Sequence, residues 1–251
     1  MSHYHVLVIH RKDQDIEDLL APYDEGLQVE PHREFTRQEA ISFARERFDR
    51  LKDATDEECY QFIAEDYPDD LRDSEGNLYS RYNSNARWDW YCVGGRFAGR
   101  LKAKAGKHGD GSAFHENPRE DGWYDEARLG DVDFSADPGV RDASMRYWEV
   151  VVEGKPLRED EDPDRFFSLY KPEYYLEKYQ DKETYGEACS RFSPYACVTP
   201  DGEWHSGGTM WYFGYSDEDP AVARDWELNF VDRFIKGADP DLIITSVDCH
   251  I

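Results

Sequence analysis

The residues best suited to chemistry lie near the two ends of the sequence. His3 and His5 belong to one apolar segment, and Asp248 and His250 belong to another. Imidazole and carboxylate groups are common ligands of zinc, iron, manganese and nickel, and they also form oriented acid–base pairs without a metal. We therefore predict Asp248 and His250 as catalytic residues. His3 and His5 would complete a divalent metal site with them, although the identity of any cofactor stays open.

This grouping requires the two end segments to be neighbouring strands. Residues 3–10 and 242–250 are rich in β-branched side chains, and each shows one face that turns polar towards its tip. In a ferredoxin-like sheet the first and last strands pair antiparallel, which sets the end of the last strand beside the start of the first. The alternative is that the histidines belong to a mobile terminus and that Asp248 and His250 form a solvated pair.

A second group of candidate residues lies between positions 88 and 96. Aromatic rings can stack on a planar ligand, and a glycine pair exposes backbone N–H groups beside an arginine that can bind phosphate or carboxylate. The predicted ligand-binding residues are Trp88, Asp89, Tyr91, Gly94, Gly95 and Arg96.

The basic residues that follow strengthen this hypothesis. Arg100, Lys102, Lys104 and Lys107 form a positive stretch in a chain whose formal charge is -25, so they would attract an anionic ligand. Two plainer interpretations stay open. The tryptophans can be core residues next to an ordinary glycine turn, with both rings largely buried, and the basic residues can form a solvated strand.

His205 is a further candidate. It follows the turn signal Pro200-Asp201-Gly202 and precedes a second glycine pair, in a segment that favours a hairpin. We include it among the ligand-binding residues, with simple exposure as the alternative.

Composition narrows the class of protein. The 251 residues include 55 Asp+Glu against 30 Lys+Arg, a balance that argues against general nucleic-acid or anionic-membrane binding. No apolar run reaches the roughly 20 residues of a membrane span, and the five cysteines show no CxxC pair. We expect a cytoplasmic protein whose partners are a small anionic ligand or another protein.

The pattern of elements predicts an α+β fold with an antiparallel or mixed sheet and helices mainly on one face. Further strands are expected at 88–93, 147–153 and 195–199. Capping signals predict helices after Thr36 and Asp219, and Pro172 should divide a helical segment at 163–190. We expect one domain over 1–251, with a long irregular insertion at about 107–145 that is dense in Gly, Asp and Pro.

Three short blocks together carry a resemblance. These blocks are "WDWYCVGGRFAG", "TPDGEWHSGG" followed by "MWYFG", and "VDCHI". They resemble an uncharacterised family of phage, prophage and bacterial proteins with a WDWYxxGGRW-type core. This chain departs from that core at one position, because Phe97 stands where the family has a tryptophan. The resemblance implies association with mobile genetic elements and, for a phage protein, a counter-defence role, but it implies no reaction.

Three classes of function follow. The first is an enzyme acting on a phosphorylated or nucleotide-like molecule, and the second is a binder that sequesters such a molecule. The third is a protein-binding inhibitor whose negative charge imitates nucleic acid. The sequence alone does not separate an enzyme from a binder.

Overall fold

The predicted α+β architecture is confirmed, and its centre is a mixed sheet. The structure is a computed structural model that describes residues 2–107, 113–114, 122–208 and 218–251. The strands are β1 (His3–His10), β2 (His32–Phe35), β3 (Leu78–Ser80), β4 (Trp90–Val93), β5 (Leu101–Lys102), β6 (Ala113–Phe114), β7 (Trp123–Tyr124), β8 (Glu126–Arg128), β9 (Ala196–Val198), β10 (Trp204–Ser206) and β11 (Ile243–His250).

The helices fall before and after the middle strands of the chain. They are α1 (Ile16–Leu20), α2 (Arg37–Arg47), α3 (Asp56–Ala64), α4 (Pro138–Val151), α5 (Pro172–Tyr179), α6 (Lys182–Ser190) and α7 (Pro220–Phe230). Among the described residues, no helix is long and apolar enough to cross a membrane.

Strands β1 and β11 lie at the middle of the main sheet. Its order is β10-β9-β1-β11-β8-β6, and β4 also pairs with β11. β1 runs parallel to β9 and antiparallel to β11, which makes the sheet mixed. Both strands are buried on both faces, as expected for β-branched strands with neighbours on each side. The predicted pairing of the first and last strands is therefore confirmed.

Strand β11 has two neighbours along the same edge. Ile243 to Thr245 pair with β8, whereas Val247 to His250 pair with β4. Ser246 lies at the junction, where its N–H donates to the Asp125 carbonyl and its carbonyl accepts from Gly94 N–H. The change of partner brings the Gly94-Gly95 turn onto the sheet at this point.

Helix α7 supplies the core that covers one face of the sheet. Asp219 caps it by accepting hydrogen bonds from the N–H groups of Ala221 and Val222, as its sequence predicted. Trp226 and Phe230 of this helix belong to the same buried cluster as the apolar sheet residues Leu7, Ile9 and Ile244.

The region 122–151 is more regular than the sequence indicated. The strand predicted at 147–153 is wrong, because these residues mostly lie in α4, which Asp137 caps at Gly139 and Val140. A cap and a proline at the first turn outweigh the β-propensity of a short valine run. Helix α4 therefore begins within the segment expected to be irregular. Residues 108–112 and 115–121 of that segment lie outside the described residues.

Contacts divide the chain into two compact units. The larger comprises Met1–Pro22 and Arg87–Ile251, and the smaller comprises Tyr23–Ala86. The smaller unit contains β2, β3, α2 and α3, and the capping box predicted at Thr36 and Glu39 is present there. The candidate site lies wholly in the larger unit. The expectation of a single domain stays a prediction.

Candidate functional site

The register between β1 and β11 brings together the histidines and the aspartate that the sequence singled out. His3 lies opposite His250, and His5 lies opposite Asp248. Directly opposed residues of an antiparallel pair project to the same face, so these side chains share one side of the sheet. β4 adds Trp90 opposite His250 on the other edge of β11.

Two carboxylate–imidazole pairs form at this end of the sheet. Nδ1 of His3 lies 2.9 Å from Oδ1 of Asp248, and Nδ1 of His250 lies 2.6 Å from Oδ1 of Asp89. A carboxylate can only accept, so in each pair Nδ1 carries the hydrogen. The two imidazole centroids are 5.1 Å apart. We call His3, Asp89, Trp90, Asp248 and His250 the histidine–aspartate cluster.

One nitrogen of His250 has no hydrogen-bond partner among the described residues. Its Nε2 is buried and makes no hydrogen bond within the part of the chain that the structure describes. Because Nδ1 donates to Asp89, Nε2 of the neutral ring keeps its lone pair and can accept a proton. Buried polar atoms without partners are uncommon, and a catalytic role is one explanation for such an atom.

The Gly94-Gly95 turn approaches the sheet too closely for any side chain. Gly94 and Gly95 have φ angles of 71° and 52°, in the left-handed region that favours glycine. A Cβ on Gly95 would lie 2.5 Å from Oδ2 of Asp248, and one on Gly94 would lie 2.5 Å from Oδ2 of Asp125. Both glycines are needed because backbone must pass directly over two buried carboxylates.

The donors of this turn bind carboxylates of the chain itself. The N–H of Arg96 donates to Oδ2 of Asp248 at 2.9 Å, and the N–H of Gly99 donates to Oδ1 of Asp125. The sequence interpretation assigned such donors to a ligand anion. In the structure, Asp248, which is 1% exposed, takes one of these places. The Arg96 side chain is exposed beside it.

His5 lies on the same face but has a different environment. Its Nε2 lies 2.9 Å from Oγ of Ser246, and its ring stacks on Phe97 with a centroid distance of 5.1 Å. Burial, and secondarily the positive charge of Arg100, lowers the pKa of His5 to about 3. His5 is therefore neutral at physiological pH.

The geometry gives the metal hypothesis no support. Nowhere in the described ranges do three or more His, Cys, Asp or Glu side chains converge on a common point suitable for a metal ion. The ring nitrogens of His3, His5 and His250 that make hydrogen bonds face Asp248, Ser246 and Asp89 respectively. The ring nitrogens that could bind a metal are thus hydrogen-bonded to carboxylates and a hydroxyl of the chain.

The two tryptophans have different roles, and the expectation that both rings are buried is wrong for Trp90. Trp88 is 8% exposed, and its indole N–H donates to the carbonyl of Leu20 at 3.1 Å. Trp90 is 43% exposed and stacks on His250 with an angle of 14° between the rings. β4 begins only at Trp90, so the strand alternation assumed in the sequence analysis does not extend back to Trp88.

Tyr91 and His205 lie away from the cluster. Tyr91 is opposite Cys249, on the other face from Trp90, and its ring contacts Trp88. His205 lies on β10, which β9 and β1 separate from β11, and its Nε2 is 3.3 Å from Oγ1 of Thr199. Neither residue is in a position to act with His250.

Sequence reasoning missed two residues that organise the site. Asp125 and Ser246 sit beside the junction between β8 and β4, where they bind the Gly94-to-Gly99 segment and His5. Asp125 lies in a stretch assigned to the irregular insertion, and no local pattern marks it. Ser246 had one signal, because a serine between apolar positions on a buried strand needs a polar partner.

Comparison of the chain with protein-family models, curated proteins and solved structures finds no match. The resemblance to a phage-associated family stays a prediction. The block at 210–214 that contributes to it lies outside the described residues.

Proposed function

We propose that this protein is an enzyme acting on a small phosphorylated or nucleotide-like molecule at the histidine–aspartate cluster, with His250 as the acid–base group. One observation carries the proposal. The Nδ1–H of His250 donates to Asp89, while Nε2 has no hydrogen-bond partner among the residues that the structure describes. A carboxylate that fixes the tautomer and orientation of an imidazole is the arrangement by which histidine accepts and returns protons in many enzymes.

Trp90 gives the cluster a surface for a planar ligand. Its indole lies over the imidazole of His250, yet the side chain is nearly half exposed. A substrate would reach Nε2 when this indole turns aside, and the turned ring would still form a wall of the site. Base–aromatic stacking contributes about 1–3 kcal/mol per base, which favours a heteroaromatic ligand.

The second pair, Asp248 with His3, serves mainly to position the first. Asp248 is buried and accepts from both His3 and the backbone of Arg96, so it fixes the turn beside the cluster. The exposed Arg96 side chain then provides positive charge near the edge of the site for an anionic group. In this proposal Gly94 and Gly95 act through Asp248 and Asp125 and do not contact the ligand.

The test begins with the purified protein and its bound small molecules. Molecules released by heat are identified by mass spectrometry, and nucleoside monophosphates are titrated while tryptophan fluorescence is recorded. The protein is then incubated with the molecules that bind, and analysis of the products measures turnover. We expect His250→Gln to abolish turnover while binding changes less than about threefold, because the lost group acts on the proton in the transition state.

His32→Gln is the matched control, since His32 is an exposed histidine on β2 in the smaller unit. Trp90→Ala should weaken binding by about tenfold, as expected for loss of one stacking contact. If the His250 and His32 variants turn over substrate equally, His250 is not the acid–base group. Binding that survives together with no turnover by the wild type would instead indicate a sequestering protein.

A protein-binding inhibitor is the second candidate, and one surface feature favours it. Between residues 157 and 176, five large apolar side chains are exposed: Leu157, Phe167, Leu169, Tyr170 and Leu176. Exposed apolar side chains concentrated in one segment are characteristic of protein-contact surfaces. Under this proposal the protein acts in the cytoplasm in a phage counter-defence role. Leu169→Asp would then abolish the inhibitory effect, whereas His250→Gln would leave it unchanged.

A further inference from the structure

A cavity of about 350 Å³ opens beside His5, and neither His250 nor Asp89 is among its lining residues. Its walls include the basic residues Arg100 and Lys102, the ring of Trp123 and the hydroxyl-bearing residue Ser193. Ser135, just before α4, lines it as well. The volume is within the usual range for small-molecule sites, and the lining combines aromatic surface with a few polar groups.

Two cations at this cavity form no ion pair with any described residue. The guanidinium of Arg100 lies 5.7 Å from the ring centroid of Phe97, and the ammonium of Lys102 lies 5.7 Å from that of Trp123. Lys104 and Lys107 behave differently, since Lys104 donates to the carbonyl of Gly130 and Lys107 pairs with Asp131. Only the first half of the predicted basic stretch therefore lines this cavity.

The acidic residues in the wall are already bound by backbone donors. Asp133 accepts from the N–H of Ser135 at 3.0 Å, and hydrogen bonds from the side chain and the backbone of Ser135, with smaller help from Lys102 and Lys104, lower its pKa. Asp137 caps α4 by accepting from Gly139 at 2.8 Å and from Val140 at 3.2 Å. Arg191 also lines the cavity, but it is bound to Glu187 and to the Leu228 carbonyl. Arg100 and Lys102 thus remain as the charges available to a ligand.

We propose that this cavity binds the phosphate group of a small phosphate monoester. The Arg100 guanidinium matches phosphate oxygens with its planar fork, and Lys102 adds a compact charge. Ser193 adds a hydroxyl-bearing side chain to the same wall, and Trp123 offers apolar surface to the remainder of the ligand. This assignment is independent of the histidine–aspartate cluster, because neither His250 nor Asp89 lines the cavity.

The test uses isothermal titration of the full chain with phenyl phosphate and with inorganic phosphate, at low ionic strength. We expect Arg100→Gln and Lys102→Gln each to weaken phenyl phosphate binding by about tenfold or more, which is the usual effect of losing one charged hydrogen bond. Lys104→Gln is the matched control and should change the affinity by less than about twofold, because its ammonium binds Gly130. Asp133→Asn should leave binding equal or tighter, since it removes a competing negative charge.

Trp90→Ala separates this proposal from the proposed function, because loss of that ring should weaken binding at the histidine–aspartate cluster by about tenfold, whereas Trp90 does not line this cavity. Unchanged phenyl phosphate binding in that variant is expected if the cavity is an independent site. Equal effects of the Lys102 and Lys104 substitutions, or the absence of binding to the wild type at millimolar concentration, would overturn the proposal. Inorganic phosphate binding as tight as phenyl phosphate binding would overturn the assignment to a monoester and leave free phosphate as the ligand. Thermal melts of each variant verify folding.

Discussion

The two halves of one sheet face differ in what covers them. Towards the start of β11, Leu7, Ile9 and Ile244 are packed beneath the rings of α7. Towards its end, His5 and Asp248 are covered by the segment from Gly94 to Phe97. The same ladder of β1 and β11 thus supports an apolar core at one end and a buried polar cluster at the other.

The difference shows that burial of a polar side chain constrains the backbone that covers it. A helix can cover apolar residues with side chains, because dispersion contacts tolerate small changes in distance and direction. A buried carboxylate needs N–H donors within about 3 Å. Only a turn without side chains brings the backbone N–H of Arg96 that close to Asp248. The polar half therefore depends on glycine residues, whereas the apolar half depends on large aromatic rings.

The largest effect should come from the apolar half. Phe230→Ala removes a ring that is completely buried against the sheet, and we expect it to lower the free energy of unfolding by about 3–5 kcal/mol. Val222→Ala is the control on the same helix, because Val222 is exposed and should cost less than about 1 kcal/mol. Chemical denaturation measures both. Similar losses for the two variants would show that α7 is not the principal cover of this half.

Gly95→Ala tests the polar half and should cost about 2–4 kcal/mol. The added Cβ meets Asp248 and Cys92, and alanine also pays for the left-handed backbone conformation. Gly154→Ala is the control, since Gly154 has a φ of 70° but no atom within 4 Å of the added Cβ. It should lose only about 1–2 kcal/mol from the backbone. If the two variants unfold at the same denaturant concentration, the turn is free to move away from Asp248.

Acid should weaken the polar half through His5. The folded pKa of His5 is about 3, below its ordinary value of 6.5, so below pH 6.5 the unfolded chain binds a proton that the folded chain does not. Stability from this residue is complete above about pH 6.5 and falls as the pH is lowered, by up to about 2 kcal/mol between pH 7 and pH 5. His5→Gln should remove this part of the dependence. Parallel pH profiles for wild type and variant would contradict the assignment.

The smallest effect is expected at the edge of the cluster. Trp90→Ala should lower the free energy of unfolding by only about 1 kcal/mol, because the ring is 43% exposed and contacts mainly imidazoles. Trp88→Ala, at a buried ring that also donates a hydrogen bond, should cost about 3–5 kcal/mol. Equal losses would indicate that Trp90 is a structural residue and not a wall of the site.

Local sequence pattern predicted the two strands that carry the polar cluster. Together with the assumed antiparallel pairing of the first and last strands, they predicted that His3 and His5 lie near Asp248 and His250, and the structure adds the register. The exposure of Trp90 was missed because the residue at which β4 begins depends on pairing with β11. The hydrogen bond from the backbone of Arg96 to Asp248 was missed because the two residues lie 152 positions apart. A glycine turn in the sequence indicates exposed N–H donors, but it does not indicate which acceptor binds them.

The pairing of β1 with β11 has a consequence for the order of folding. The His3–Asp248 contact spans 245 positions of the chain. Pairings at such separation form slowly, since the entropy of closing a very long loop is lost before any contact compensates for it. During synthesis, β1 leaves the ribosome long before β11 is made. The backbone groups on the edge of β1 that pairs with β11 therefore lack their partner until then. The protein should therefore acquire its proposed active site in the last stage of folding, when β11 inserts between β1 and β4.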